Sequence, residues 1–224
     1  MDLDDILRKN PQFHRTGKGE PISYGLGKDT LAYIAEKITD GARTLETGAG
    51  HSTVLFASLG ARHICVVPQS EELDRIIAFY QDHSVPLDKV QFILQRSEMA
   101  LPTLTNDPLD LVLIDGNHAF PAPFIDWYYT ADKIRVGGLL IIDDTEIWTA
   151  RILRNFLLSE PEWRLDKEFS HRACSFTKVK DGGHLKGWGA QRYVQRHSYL
   201  YFWEFRICSE WANFIRLVRK IAGK

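Results

Sequence analysis

The sequence predicts an α/β fold, a doubly wound and mainly parallel sheet with an antiparallel hairpin at one edge. Three observations carry this. Short β-rich apolar runs alternate with helical patterns from residue 29 to residue 158, the rhythm of right-handed βαβ units. The runs Leu109–Ile114 and Leu139–Ile142 are apolar on both faces, apart from Asp110, as suits strands covered by helices on each side. After Pro161 the rhythm changes to two strand-like stretches, Trp163–Phe169 and Ala173–Val179, joined at Ser170-His171-Arg172.

The elements follow in order. Asp2 to Arg8 reads as a short helix, and the Gly- and Lys-rich stretch Phe13 to Gly27 as a loop. Asp29 can cap a helix whose apolar positions are Leu31, Ile34, Ala35 and Ile38, with Gly41 as its stop. Arg43–Glu46 is a strand that enters the turn Thr47-Gly48-Ala49-Gly50-His51-Ser52, and a helix from Thr53 to Leu59 follows. Next come the strand His63–Val67, the helix Glu71–His83 and the strand Val90–Leu94. A short helical segment, Ser97–Leu104, precedes the strand Leu109–Ile114. A helix from Phe124 to Ile134, a turn at Gly137-Gly138, the strand Leu139–Ile142 and a helix from Thr149 to Leu158 complete the series.

The 224 residues suffice for one domain with a full core. The expectation is a single domain over 1–224, with an N-terminal helical segment (1–40) and a basic, aromatic C-terminal tail (182–224). The net charge of −1 predicts no nucleic-acid partner. Its distribution is uneven: from Lys186 onward eight Lys and Arg face two acidic residues, a local +6 that leaves −7 on the remainder. Cys65, Cys174 and Cys208 show no paired spacing, which argues against a disulfide framework and a zinc site. The N-terminus has no signal-peptide pattern and no apolar run is long enough to span a bilayer. The compartment expected is the cytoplasm.

Glu46-Thr47-Gly48-Ala49-Gly50 lies between a strand and a helix, where glycines allow a tight turn and close ligand approach. A nicotinamide fingerprint needs a third glycine, but His51-Ser52-Thr53 follow. The acid before the first glycine would repel a pyrophosphate and attract a cation. The segment LETGAGHST resembles the glycine motif of the class I S-adenosylmethionine-dependent methyltransferases, whose fold is Rossmann-like. That resemblance implies that Gly48, Gly50 and Ser52 face the cofactor and that Glu46 sits near its amino-acid end. A turn without a ligand is the alternative.

Asp115 ends one apolar run and Asp143-Asp144 end the next, 28 residues later. Carboxylates gathered at one sheet rim repel one another unless a cation neutralises them, and oxygen-rich sites suit Mg²⁺, Mn²⁺ or Ca²⁺. The pattern IDGNH, helix, GGLLIIDD resembles the metal-dependent O-methyltransferases of the sugar and catechol type. The resemblance implies a divalent ion, Mg²⁺ foremost, on Asp115, Asp143 and Asp144, and His118 as general base. It also places Asp115, Ser97 and Glu98 beside the cofactor. The plainer alternatives are helix or turn caps at Ser97, Asp115, Asp143 and Asp144, and a structural imidazole at His118.

One departure stands out. Val67 ends the second strand where the family carries an acid for the ribose hydroxyls, and Gln69, Glu71 and Glu72 are the nearby substitutes. The tail from Tyr199 to Ile221 is aromatic and basic, fit to pack on the domain or a homodimer partner, or to meet a membrane surface. The function expected is metal-assisted O-methylation of a small hydroxylated acceptor, a sugar among the candidates. The rival from another class is a catalytically silent cofactor-binding or protein-interaction protein.

Overall fold

The computed structural model describes residues 1–23, 25–105, 107–170, 172–182 and 186–221. They divide into two compact units, Met1–His184 and Leu185–Lys224.

The first unit opens with helix α1 (Leu3–Lys9), started by Asp2, whose side chain accepts from the Asp5 N–H at 2.8 Å. The stretch expected as a loop contains a small antiparallel ladder, β1 (His14–Arg15) with β2 (Pro21–Ile22). Helix α2 (Lys28–Lys37) is capped by Gly27; Asp29 lies inside the first turn, where its carboxylate accepts from Thr30 N–H. The negative charge still favours a helix N-terminus from that position.

The sheet proper comprises β3 (Arg43–Thr47), β4 (Arg62–Val66), β5 (Val90–Ile93), β6 (Leu109–Ile114), β7 (Ile134–Ile142), β8 (Trp163–Phe169) and β9 (Ala173–Lys178). Its order is β5-β4-β3-β6-β7-β9-β8. The first five run parallel, and β9 is antiparallel to both β7 and β8. This is the doubly wound sheet with an antiparallel edge hairpin that the alternation predicted. The connecting helices are α3 (His51–Ser58), α4 (Ser70–Asp82), α5 (Ser97–Ala100, continued by a 3₁₀ turn), α6 (Ala122–Thr130) and α7 (Trp148–Ser159).

Alternation of side chains places the two halves of the core. Leu111 and Leu113 of β6 join Ile6, Ile34, Phe56 and Tyr80 in one buried cluster. Val112 and Ile114, equally buried, lie on the opposite face of the strand.

The boundaries around Ile134 and Gly137-Gly138 differ most from the sequence expectation. Helix α6 ends at Thr130, so Ile134 belongs to the next strand. Gly137-Gly138 is within β7 and not a turn before it. Pairing is irregular there, between Leu109 and Leu111 of β6, and Gly137 has φ +82°. A strand carrying such an irregularity looks like a break in sequence, because glycine does not declare which of the two it serves.

The second unit holds a 3₁₀ turn (Trp188–Ala190) and helix α8 (Arg192–Ile221). Trp203, Ile207, Trp211 and Phe214 recur along it at helical spacing and are exposed. Residues 183–185 and 222–224 of the tail expected over 182–224 lie outside the described residues. No described helix is long and apolar enough to cross a membrane.

Candidate active site

The connection from β3 leads to β4 on one side, while β6 lies on the other. Ligands bind beyond the carboxyl ends of strands at such a switch point. Gly48 sits there with φ +87°, its N–H donating to Val66 C=O at 3.0 Å. A Cβ on it would lie 2.2 Å from the Asp115 carbonyl oxygen, so only glycine lets the two strand ends meet. Beyond them lies a cavity of about 720 Å³, within the range of roughly 300–1,000 Å³ usual for small-molecule sites.

Of the expected residues, the cavity gathers Gly48, Ser97, Glu98, Asp115, His118 and Asp144. Glu46, Gly50, Ser52 and Asp143 are not on its walls. Glu46 is 1% exposed and points inward. Its carboxylate accepts from Ser52 Oγ at 2.6 Å, from Thr53 Oγ1, and pairs with His63 Nε2 at 3.1 Å. Thr53 Oγ1 in turn accepts from Gly50 N–H at 2.8 Å. Glu46 therefore braces the glycine turn from behind. Three polar partners satisfy the buried carboxylate, as burial of a charge demands. His63 sat unnoticed inside an apolar run, and its spacing from Glu46 carries no sequence signal.

Glu46, His63 and Cys65 also bring ligand-type atoms within 4.8 Å of one another. This is a hydrogen-bonded network and not a promising ion site. Burial, then the nearby Glu46 charge, push the Cys65 thiol well above its ordinary range, which keeps it protonated.

Val67 follows β4 directly and is fully buried. Among the candidates to replace an acid there, Gln69 and Glu72 line the cavity and Glu71 does not. Glu72 lies 3.4 Å from His14 Nδ1 across the same wall. The β1–β2 hairpin brings His14 there, a contribution no local pattern foretold.

The acidic rim is built by register. Asp115 follows β6, and Asp143 N–H donates to Ile114 C=O at 3.0 Å, so the two strand ends stay side by side. Asp115 is pushed well above the carboxylate range, chiefly by burial and then by the charges of Asp143 and Asp144. Burial likewise raises Asp143. Asp144 is lowered, first by its hydrogen bond with His118, whose Nε2 lies 2.9 Å from Asp144 Oδ2.

Asp115, His118 and Asp144 each offer a ligand atom within 4.8 Å of the others. A mixed carboxylate and imidazole set fits a divalent ion such as Mn²⁺ or Mg²⁺. Asp143 does not join that set. Its Oδ2 is 3.3 Å from Arg172 Nη2, while Arg172 Nε is 3.0 Å from Asp144 Oδ1. The positive partner that clustered carboxylates require is thus supplied in part by the protein itself. Arg172 read only as a turn residue in sequence.

Behind Ser97 and Thr47 lies Asp126, fully buried on α6. Burial pushes its carboxyl up to about 6, and the hydroxyls of Ser97 and Thr47 pull it back. In sequence it was one acid within an aromatic helix.

Comparison with known proteins agrees with this geometry. Residues 45–145 match the family model described as a methyltransferase domain. A search of curated proteins gives no match. Among solved structures, a Staphylococcus aureus protein described as a caffeoyl-CoA O-methyltransferase is similar with TM-score 0.63 and 14% identity, over 80% of this chain and 92% of its own. The O-methyltransferase TomG from Streptomyces achromogenes, solved with S-adenosylmethionine, has TM-score 0.61 and 16% identity over 80% of this chain and 91% of its own. An rRNA methylase from Streptococcus thermophilus has TM-score 0.55 and 15% identity over 71% of this chain and 100% of its own. The fold is the Rossmann-like methyltransferase fold, and the chain resembles the class I methyltransferases, their O-methyltransferase branch included.

Proposed function

We propose that this chain transfers the methyl group of S-adenosylmethionine to a hydroxyl of a small acceptor, a sugar among the candidates, with His118 as general base. The observation that carries the reading is the single cavity that joins the Gly48 turn to His118, Asp115 and Asp144. The turn lets a ligand approach the backbone, and carboxylates nearby favour a guest bearing an ammonium and a sulfonium. Ser97 and Glu98 lie on the same cavity and suit the adenine end. Glu72, in the first turn of α4, suits the ribose hydroxyls in place of the missing acid.

When Asp144 accepts from Nε2–H, the lone pair of His118 is on Nδ1, the nitrogen that takes the acceptor's proton. Asp144 thereby orients the base and favours the imidazolium formed in the step. Asp115 and Asp144 would hold a divalent ion, which when bound supplies Lewis acidity toward the acceptor oxygen. The rim chemistry favours a small acceptor over RNA. Glu72, Glu98 and Asp144 outnumber the one guanidinium on the cavity wall, that of Arg96, and a net negative rim opposes a phosphate backbone.

Calorimetry tests the cofactor: S-adenosylhomocysteine should bind with one-to-one stoichiometry, and binding of NADH in its stead would overturn the reading. His118→Ala should lower turnover by about 10²–10⁴-fold and leave S-adenosylhomocysteine affinity unchanged. An unaltered rate removes His118 as base.

A further inference from the structure

Two adjacent aspartates at the end of β7 meet one guanidinium. Asp144 has both oxygens engaged, Oδ1 by Arg172 Nε at 3.0 Å and Oδ2 by His118 Nε2 at 2.9 Å. Asp143 is 1% exposed, and its Oδ1 is buried without a hydrogen-bond partner. Its Oδ2 meets Arg172 Nη2 at 3.3 Å. A guanidinium stays charged at any physiological pH, so it cannot leave this rim by losing a proton. It can leave only by moving.

The corner between β8 and β9 is built for such a movement. Thr145 N–H and Thr145 Oγ1 both donate to the Arg172 carbonyl, at 2.6 and 2.9 Å. The Arg172 backbone is therefore pinned to the loop that follows the two aspartates. Its side chain is not enclosed: it is 38% exposed. It borders a second, open groove of about 530 Å³ that Asp29 and Ser170 also line. Asp29 offers a carboxylate there, hydrogen-bonded now by Ser170 Oγ at 2.7 Å.

We propose that Arg172 is the resident counter-ion of the rim, and that a divalent cation gains Asp144 only by displacing it, the guanidinium swinging into the groove beside Asp29. This rests on the reading of Asp115 and Asp144 as ion ligands. With Oδ2 kept by His118, the oxygen of Asp144 left to an ion is Oδ1, the one that Arg172 Nε holds, and two cations crowded on that oxygen repel. The exchange makes ion affinity modest in the resting protein. It also couples ion binding to the β8–β9 corner.

The test is a Mn²⁺ titration of the full chain without cofactor, with free Mn²⁺ read by electron paramagnetic resonance. Arg172→Met should bind one Mn²⁺ at least about tenfold tighter than the natural chain, a change of about 1.4 kcal/mol. Adding Asp115→Asn to Arg172→Met should abolish the gain. Equal affinity with and without Arg172 overturns the exchange while the ion site stands. Absence of Mn²⁺ binding in both proteins overturns the exchange and the ion site together. A second measurement reads the natural chain and uses a variant only to assign the signal. In the natural chain, saturating Mg²⁺ should shift the Arg172 Nε–H resonance, assigned through Arg172→Lys; a resonance that stays in place overturns the proposal.

Discussion

At the scale of single residues, the site depends on groups whose charge is set by burial. Asp126 shows the consequence for stability. Its carboxyl is raised to about 6 in the folded protein, first by burial. The folded state thus holds its proton more tightly than the unfolded chain, whose carboxyl has the ordinary value of 3.8. The contribution is fully present below the unfolded value and is lost as pH rises through the folded one. A shift of this size corresponds to about 3 kcal/mol. Asp126→Asn should therefore stabilise the protein at pH 8 and change little at pH 3.5. Urea denaturation at both values measures it, and equal effects at the two would refute the burial argument. Ser97 and Thr47 are the hydroxyls that oppose the shift.

At the scale of elements, the decisive unit is β3 with its glycine turn and α3. Glu46 ties Ser52, Thr53 and His63 together behind that turn, and Thr53 holds the Gly50 N–H. Glu46→Ala would leave several buried donors unsatisfied, at a cost of about 3–5 kcal/mol. Thermal unfolding should show this, with S-adenosylhomocysteine affinity falling in parallel because the turn loses its brace. Stability within 1 kcal/mol of the natural chain would mean that the network contributes nothing. The second element of consequence is the β8–β9 hairpin. Its register pairs Ile142 with Cys174, which sets Arg172 opposite Asp144 two residues beyond. The hairpin closes the sheet edge and in the same step delivers the cation to the rim.

At the scale of the whole molecule, the sheet, its helices and the candidate site all belong to the unit Met1–His184. That unit has its own buried core, with Ile6, Phe56, Leu111 and Ile141 among its members. A chain ending at residue 184 should fold cooperatively and retain S-adenosylhomocysteine binding within about threefold, well under 1 kcal/mol. Calorimetry and circular dichroism on the shortened chain check this. Loss of a cooperative transition would show that the stability of the first unit depends on residues 185–224. Those residues carry the excess of basic charge, and the remainder carries the acidic excess. The acidic excess includes the rim that a cationic ligand would favour.

Periodicity and turn chemistry alone determined the succession of strands and helices from β3 to β9, though not the β1–β2 ladder, together with the switch-point turn at Gly48 and the placing of Asp115, Asp143 and Asp144 at strand ends. These are local properties, since a strand followed by glycine and an apolar run followed by an acid are written in consecutive residues. Tertiary structure decided which of those groups face the cavity. Glu46 turned inward because His63 and Thr53, from β4 and α3, were there to receive it. Asp143 went to Arg172, 29 residues away, and His118 took its place beside Asp115 and Asp144. His14 and Glu72 met across the cavity wall from separate elements. Such pairings depend on register and on the path of the chain through space, and side chains settle their charges with whatever neighbours that path supplies.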